Sequence, residues 1–294
     1  MENEVVVRKT GNKYIDQAPK GAYFLYDNIF GRAILPLASK RFTSLLVGKY
    51  MNTKLSTSHI PSFIKNNNID MSDYPKVEYK SFNDFFSRKI IRSRRPISKS
   101  KRDFLAPADS KVLVYCISDD KEFIIKNKKY TVKDILRNDN LANEYKNGYF
   151  IVFRLSVDDY HRYNFIDNGE VIKEYKINGK FHTVGPIAFK RHRVFQENQR
   201  EYAVLNTEVF GKIIQMEIGA LMVGKIVNHK VKKFKRGEEK GYFLFGGSTV
   251  VIMVKKNVIE IDKDILKNSS LGIETKVKLF EVIGKKVGRD FDKI

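Results

Sequence analysis

Apolar side chains between residues 21 and 50 recur at spacings of three and four. Tyr26, Ile29 and Phe30 form one such set, and Tyr23, Phe24, Leu25, Ile34, Leu35, Leu37, Phe42, Leu45 and Leu46 fill out the stretch. That period matches one face of an α-helix and predicts helices here. Pro36 is placed to break or kink one of them, because proline lacks the N–H that an interior turn needs. The polar residues in the stretch are mainly Arg32, Lys40, Arg41 and Lys49. A basic, aromatic-rich amphipathic helix pair has the make-up of an element lying in a membrane interface. The same pattern also suits a helix pair packed on the protein's own core.

Beyond residue 105 the pattern changes to short β-like runs over 111–116, 122–126, 150–155, 171–177, 203–207, 213–218, 221–227 and 249–254, with two more over 258–261 and 277–283. Ile214, Met216 and Ile218 alternate with Gln215 and Glu217, the period of a strand with one polar face. Asn127-Lys128 is placed to turn a hairpin, and one helix is predicted over 132–145 with Thr131 as its N-cap. The fold class read from this is α+β. Residues 1–80 form a helical, membrane-associating region, and residues 81–294 a mainly antiparallel β body with few helices.

Length and composition permit this and exclude little else. A chain of 294 residues with 42% hydrophobic and 30% charged residues can build a packed core in one large or two modest domains. The formal net charge of +21 favours an anionic partner: nucleic acid, an acidic membrane surface or a phosphorylated substrate. The alternative is a general bias towards lysine along the chain. No nucleic-acid-binding module is recognisable, and the basic residues are spread rather than gathered on one element. The run Arg88, Lys89, Arg92, Arg94, Arg95, Lys99, Lys101, Arg102 reads as a solvated linker or as a headgroup contact. Cys116 is the single cysteine, so no intrachain disulfide or cysteine-rich metal site can form; it reads as a small buried hydrophobe. The first ten residues lack a secretory signal pattern. The longest uncharged stretch, 241–254, is shorter than the ~18–20 residues a membrane-spanning helix needs. No P-loop or dinucleotide fingerprint is present, and no His/Cys/Asp spacing suggests a metal site.

The chemistry-bearing segments are short. In Gly246-Gly247-Ser248-Thr249 a bare glycine turn meets a hydroxyl and then a β-branched strand. Such a segment is ordinarily a turn. Glycine also tolerates strained backbone and leaves its carbonyl open to attack, so the Ser248 hydroxyl could exchange the preceding amide for an ester. Ala106-Pro107-Ala108-Asp109-Ser110 places a carboxylate before an apolar strand, and Asp158-Asp159-Tyr160-His161 places a histidine after one. A histidine relaying a proton between a serine and an aspartate is a common way to activate a hydroxyl.

Several segments, in order, resemble the phosphatidylserine decarboxylase family. They are Phe82-Asn83-Asp84-Phe85-Phe86-Ser87-Arg88 with Arg94-Arg95-Pro96-Ile97, then Pro107-Ala108-Asp109, then Asp159-Tyr160-His161-Arg162-Tyr163 and Phe181-His182-Thr183-Val184. They continue through Glu217-Ile218-Gly219-Ala220-Leu221-Met222-Val223-Gly224-Lys225-Ile226 and Arg236-Gly237-Glu238-Glu239-Lys240-Gly241-Tyr242-Phe243 into Gly247-Ser248-Thr249. The resemblance covers about residues 80 to 255. It implies a proenzyme that cuts itself between Gly247 and Ser248, with Asp109 and His161 assisting, into chains 1–247 and 248–294. Ser248 would become a covalent pyruvoyl group, the electron sink that amino-acid decarboxylation needs. The substrate implied is phosphatidylserine at an anionic membrane surface, and the product phosphatidylethanolamine. The implied location is peripheral, on the cytoplasmic face of the cell membrane, and the implied partner is the chain's own cleaved fragment, with a dimer of such pairs as a further association. Nucleic acid is not an expected partner.

Two departures from the family pattern stand out. Ser110 replaces a glycine common after Pro-Ala-Asp. Asn164 stands where many members carry a second histidine, and an amide cannot take a proton near neutral pH. Either His161 serves both steps, or His182 substitutes, or maturation is slow; His161 is the reading preferred. A basic nucleic-acid-binding protein and a non-cleaving, inactive member of the family are the alternatives.

Overall fold

The computed structural model of the chain describes residues 3–18, 20–221, 225–246 and 248–288. Two strands, β1 (Asn3–Val7) and β2 (Lys13–Asp16), open the chain. A helical region follows: α1 (Lys20–Asp27), α2 (Ile29–Ala38), α3 (Arg41–Met51), α4 (Ile60–Asn66) and α5 (Phe82–Phe86). The Asn28 side chain ends one helix and starts the next by accepting hydrogen bonds from the Phe30 and Gly31 amides. Gly31 allows α1 and α2 to touch, since a Cβ there would stand 1.9 Å from the Phe24 carbonyl oxygen. Pro36 is accommodated, and α2 ends two residues later at Ala38.

The β body then runs β3 (Asp103–Leu105), β4 (Ser110–Cys116), β5 (Glu122–Ile125), β6 (Lys128–Thr131), α6 (Val132–Leu136), α7 (Asp139–Asn143), β7 (Tyr149–Leu155), β8 (Arg162–Asn164) and β9 (Gly169–Ile177). After α8 (Pro186–Phe189) and α9 (Val194–Glu197) come β10 (Arg200–Thr207), β11 (Gly211–Gly219), β12 (Ile226–Asn228), β13 (Lys233–Phe234) and β14 (Glu239–Phe243). The chain closes with β15 (Ser248–Val254), β16 (Ile259–Ile261), α10 (Lys263–Ser270), β17 (Glu274–Val277) and β18 (Val282–Lys286). Ten strands form one sheet in the order β13-β9-β10-β11-β15-β7-β4-β17-β1-β2. Within it only β1 and β17 pair in parallel. The architecture is α+β: helices towards the N-terminus, then a mainly antiparallel body.

Several local expectations are refined. β1 and β2 precede the helices and extend the sheet, because β1 finds an open edge on β17, far along the chain. The helix over 132–145 is two short helices. Thr131 does cap the first, through the Asp134 amide, but Arg137 adopts φ +49° and Asn138 caps a second start. The β5–β6 turn is Lys126-Asn127, both at positive φ, the type I′ geometry that suits twisted hairpins. The run over 277–283 divides between β17 and β18 around Phe280 at φ +65°. Of the run over 221–227, Ile226 and Val227 lie in β12, and residues 222–224 lie outside the described residues. Cys116, expected to be buried, is exposed at the end of β4.

The central strands carry the core. Every residue of β15 from Ser248 to Val254 is buried, and Phe150, Phe153, Ile214, Met216 and Ile252 are fully so. At about 1.5–3 kcal/mol for each large apolar side chain removed from water, these strands hold the sheet rigid. Within the basic run Lys89, Arg92, Arg94, Lys99 and Lys101 are exposed, but Arg88 and Arg95 are buried. Arg95 is 5% exposed and tied to Asp109 and Asp73, and the Arg88 guanidinium lies over the Tyr74 and Phe85 rings.

Candidate active site

Ser248 is the first residue of β15, and its register fixes it between two neighbours: Leu155 of β7 on one side and Gly219 of β11 on the other. Its side chain is fully buried. After Leu155 the chain turns through Ser156–Tyr160, and this turn delivers His161 back to the end of β15. The Asp159 carboxylate shapes the turn by accepting from the Ser156 amide at 2.8 Å and from Lys111 Nζ at 2.9 Å. Burial pushes the Asp159 carboxyl up, but Lys111 and Lys276 outweigh it and hold the group below the usual carboxylate range.

His161 Nδ1 lies 3.2 Å from Ser248 Oγ, and His161 Nε2 lies 2.9 Å from the Ser156 carbonyl oxygen. A carbonyl can only accept, so Nε2 carries the proton and Nδ1 presents a lone pair to the serine hydroxyl. Burial pulls the imidazole pKa down to about 3, although Asp159 partly offsets this. The side chain is therefore a neutral base facing a hydroxyl. Phe86 of α5 stacks on the ring and closes it from water.

The loop before Ser248 is held from the same side. The Phe245 amide donates to Asn83 Oδ1 at 2.9 Å, and the Phe245 ring packs among Phe63, Phe82 and Phe86. Gly246 has φ +135°, a backbone conformation that L side chains rarely adopt. Gly247, the residue expected on the other side of the cut, lies outside the described residues. A cavity of about 540 Å³ opens beside the loop, lined by Ser156, Phe245 and Gly246 together with Leu25 and Phe63 of the helices.

The remaining sequence-derived residues go elsewhere. Asp109 is held by Arg95 in a bidentate pair at 2.8 and 2.6 Å, and its Oδ1 also accepts from the Leu279 amide. The group behind His161 is thus a peptide carbonyl, and Asp109 makes no hydrogen bond to it. Asn164 sits on β8, where its Nδ2 donates to the Gly237 carbonyl and its amide to the Pro107 carbonyl. His182 engages the Tyr26 hydroxyl and Asn198, and makes no bond to Ser248. Phe86, Asn83 and Asp159 also shape the site, and no local signal in the sequence marks any of them as a neighbour of position 248.

A buried serine hydroxyl next to an imidazole whose tautomer is fixed makes a nucleophile–base pair beside a glycine turn. The family model for phosphatidylserine decarboxylase matches residues 82–285. The chain is 54% identical over 263 residues to "Phosphatidylserine decarboxylase proenzyme 2" of Clostridium acetobutylicum, covering 89% of this chain and 90% of that one. It is 46% identical to the phosphatidylserine decarboxylase proenzyme of Clostridium tetani, covering 85% and 86%. It is 42% identical to that of Fusobacterium nucleatum, covering 96% and 97%. The chain belongs to the phosphatidylserine decarboxylase family.

Proposed function

We propose that this chain is a self-cleaving proenzyme that matures into a pyruvoyl-dependent phosphatidylserine decarboxylase. The observation that carries the reading is the His161–Ser248 pair, whose tautomer the Ser156 carbonyl fixes. Ser248 Oγ gives its proton to His161 Nδ1 and bonds to the Gly247 carbonyl carbon. The peptide C–N bond then breaks, the nitrogen of residue 248 takes the proton, and an ester remains. Loss of the Cα proton and of the Gly247 carboxylate leaves dehydroalanine, which takes up water and releases ammonia to give the ketone.

Position 248 fits such a group: it is buried, faces one imidazole, and adjoins a cavity large enough for a headgroup. Held at position 248, such a ketone would supply the electron sink that decarboxylation of an amino acid needs. His161 Nδ1 faces position 248, and on taking up the proton that the substrate amine gives up on condensation it would return that proton to the decarboxylated carbon. Because β15 pairs with β11 and β7, and β17 with β4 and β1, the fragments 1–247 and 248–294 stay together as a heterodimer after the cut.

The helical region is the proposed lipid-facing element. Phe30, Leu37 and Phe42 are 74%, 60% and 67% exposed, far more than a core-packed helix pair leaves open. No helix among the described residues is long and apolar enough to cross a membrane, and the contact proposed is peripheral, at the cytoplasmic face. Lysines and arginines held against anionic lipid contribute about 1 kcal/mol each. Incubation with phosphatidylserine vesicles tests the activity. Release of carbon dioxide with matching phosphatidylethanolamine supports it, and neither product from fully cleaved protein refutes it.

A further inference from the structure

Away from Ser248, three side chains of the segment between β9 and β10 converge. Glu197 Oε2 lies 3.5 Å from His182 Nε2 and 3.5 Å from His192 Nδ1. The two imidazoles stack with centroids 3.7 Å apart and planes inclined by 16°. One ligand atom from each of the three residues lies within 4.8 Å of the others. His182 is 2% exposed, and its Nε2 has no hydrogen-bond partner. A buried polar atom without a hydrogen bond is rare in a folded protein and calls for a partner. The opposite nitrogen, Nδ1, is held at 3.3 Å by the Tyr26 hydroxyl, so Nε2 is aimed at the Glu197 carboxylate.

We propose that His182 Nε2, His192 Nδ1 and Glu197 Oε2 bind a divalent cation of the zinc class. Zinc takes nitrogen at ~2.0–2.1 Å and carboxylate oxygen at ~2.0–2.2 Å, which sets tetrahedral ligand atoms about 3.4 Å apart. The two contacts to Glu197, at 3.5 Å, match that spacing, and the half-buried His192 ring turns out of its stack on His182 to bring Nδ1 to the ion. Two imidazoles and one carboxylate leave the fourth position to water. Tyr26 takes the place of the outer partner that orients a ligating histidine. Lys180 approaches Glu197 to 3.8 Å, but its side chain is 63% exposed and can turn to water as the ion enters.

The site has structural reach. Asn198 follows Glu197 directly and donates to the carbonyls of both His182 and Gly219, and Gly219 is the strand partner of Ser248. Thr183, Val184 and Pro186 line the cavity, and Tyr26 belongs to α1. A bound cation therefore pins a helix of the lipid-facing region, a cavity wall and the strand end beside Ser248 as one unit.

The test is a Zn²⁺ titration of untagged, chelator-stripped full-length protein against a fluorescent competitor. The wild type is expected to take up one equivalent per chain and to melt at higher temperature with Zn²⁺ present. His229→Ala, at a separate histidine paired with Glu239, is expected to behave as wild type. His192→Ala and Glu197→Gln are each expected to bind at least ~10-fold more weakly and to lose the thermal shift. His192 is partly exposed on a short connecting segment, so its removal leaves the core intact. No stoichiometric uptake by the wild type, or equal uptake by His192→Ala, would overturn the proposal.

Discussion

The phenyl ring of Phe86 lies over the imidazole of His161, with centroids 4.1 Å apart and planes inclined by 30°. Both side chains are fully buried, so the base is walled off from water on the face where a hydration shell would otherwise stabilise its charge. That is the cause of its low pKa, about 3.

A pH dependence of stability follows. The folded pKa of His161 lies below the ordinary value of 6.5, so unfolding takes up a proton at intermediate pH. The contribution is fully present above about 6.5 and is lost as pH falls from 6.5 towards 3, at no more than about 1.4 kcal/mol per pH unit. His182, lowered to about 4, acts in the same direction. Urea unfolding of uncut Ser248→Ala protein should show a midpoint that drops over this window. Adding His161→Gln should make the slope shallower; an unchanged slope would mean that His161 is not buried as a neutral base.

Loss of the base should slow self-cleavage more than it perturbs folding. His161→Gln is expected to cut ~10²–10⁴-fold more slowly, the usual worth of a positioned general base. Time-resolved electrophoresis of newly synthesised chain reads this directly, and wild-type kinetics would remove His161 from the cleavage step.

Asp109 separates a structural role from a chemical one. Its bidentate pair with Arg95 is buried, and breaking one side of such a pair costs about 3–5 kcal/mol because the other charge is stranded. Asp109→Asn in the uncut Ser248→Ala background is expected to lower the urea midpoint clearly. Arg95→Met with Asp109→Leu should recover much of that stability in the same background and, with Ser248 in place, should cleave. A double variant that is stable but uncut would instead place Asp109 in the chemistry.

The general architecture was legible in the residue pattern, and the assembly of the site was not. Strands such as 150–155 and 249–254 announce themselves because they are central and buried on both faces, so nearly every position is apolar. β1 escaped because a five-residue edge strand carries little pattern, and its partner lies more than 260 residues away. His161 and Ser248 could be singled out by residue type, since each ends or begins an apolar strand. The partner of His161 could not, because a backbone carbonyl leaves no trace in the sequence. Asp109 looked like the missing third member only until Arg95, in a run resembling a solvated linker, proved to be buried against it.

The helical region should govern membrane attachment separately from chemistry. Replacing Phe30, Leu37 and Phe42 together by serine removes exposed apolar area without touching the core. Sedimentation with anionic vesicles is expected to fall by about tenfold or more, since each lost side chain contributes roughly 1.5–3 kcal/mol when fully buried in lipid. Self-cleavage should be unchanged. Undiminished sedimentation would assign lipid contact to another surface.

Intact-mass spectrometry of freshly purified protein tests the central claim most directly. Two masses are expected, one for residues 1–247 and one for 248–294 with its first residue converted to a ketone, while Ser248→Ala gives one uncut mass. A single full-length mass from wild-type protein that nonetheless decarboxylates phosphatidylserine would contradict the account.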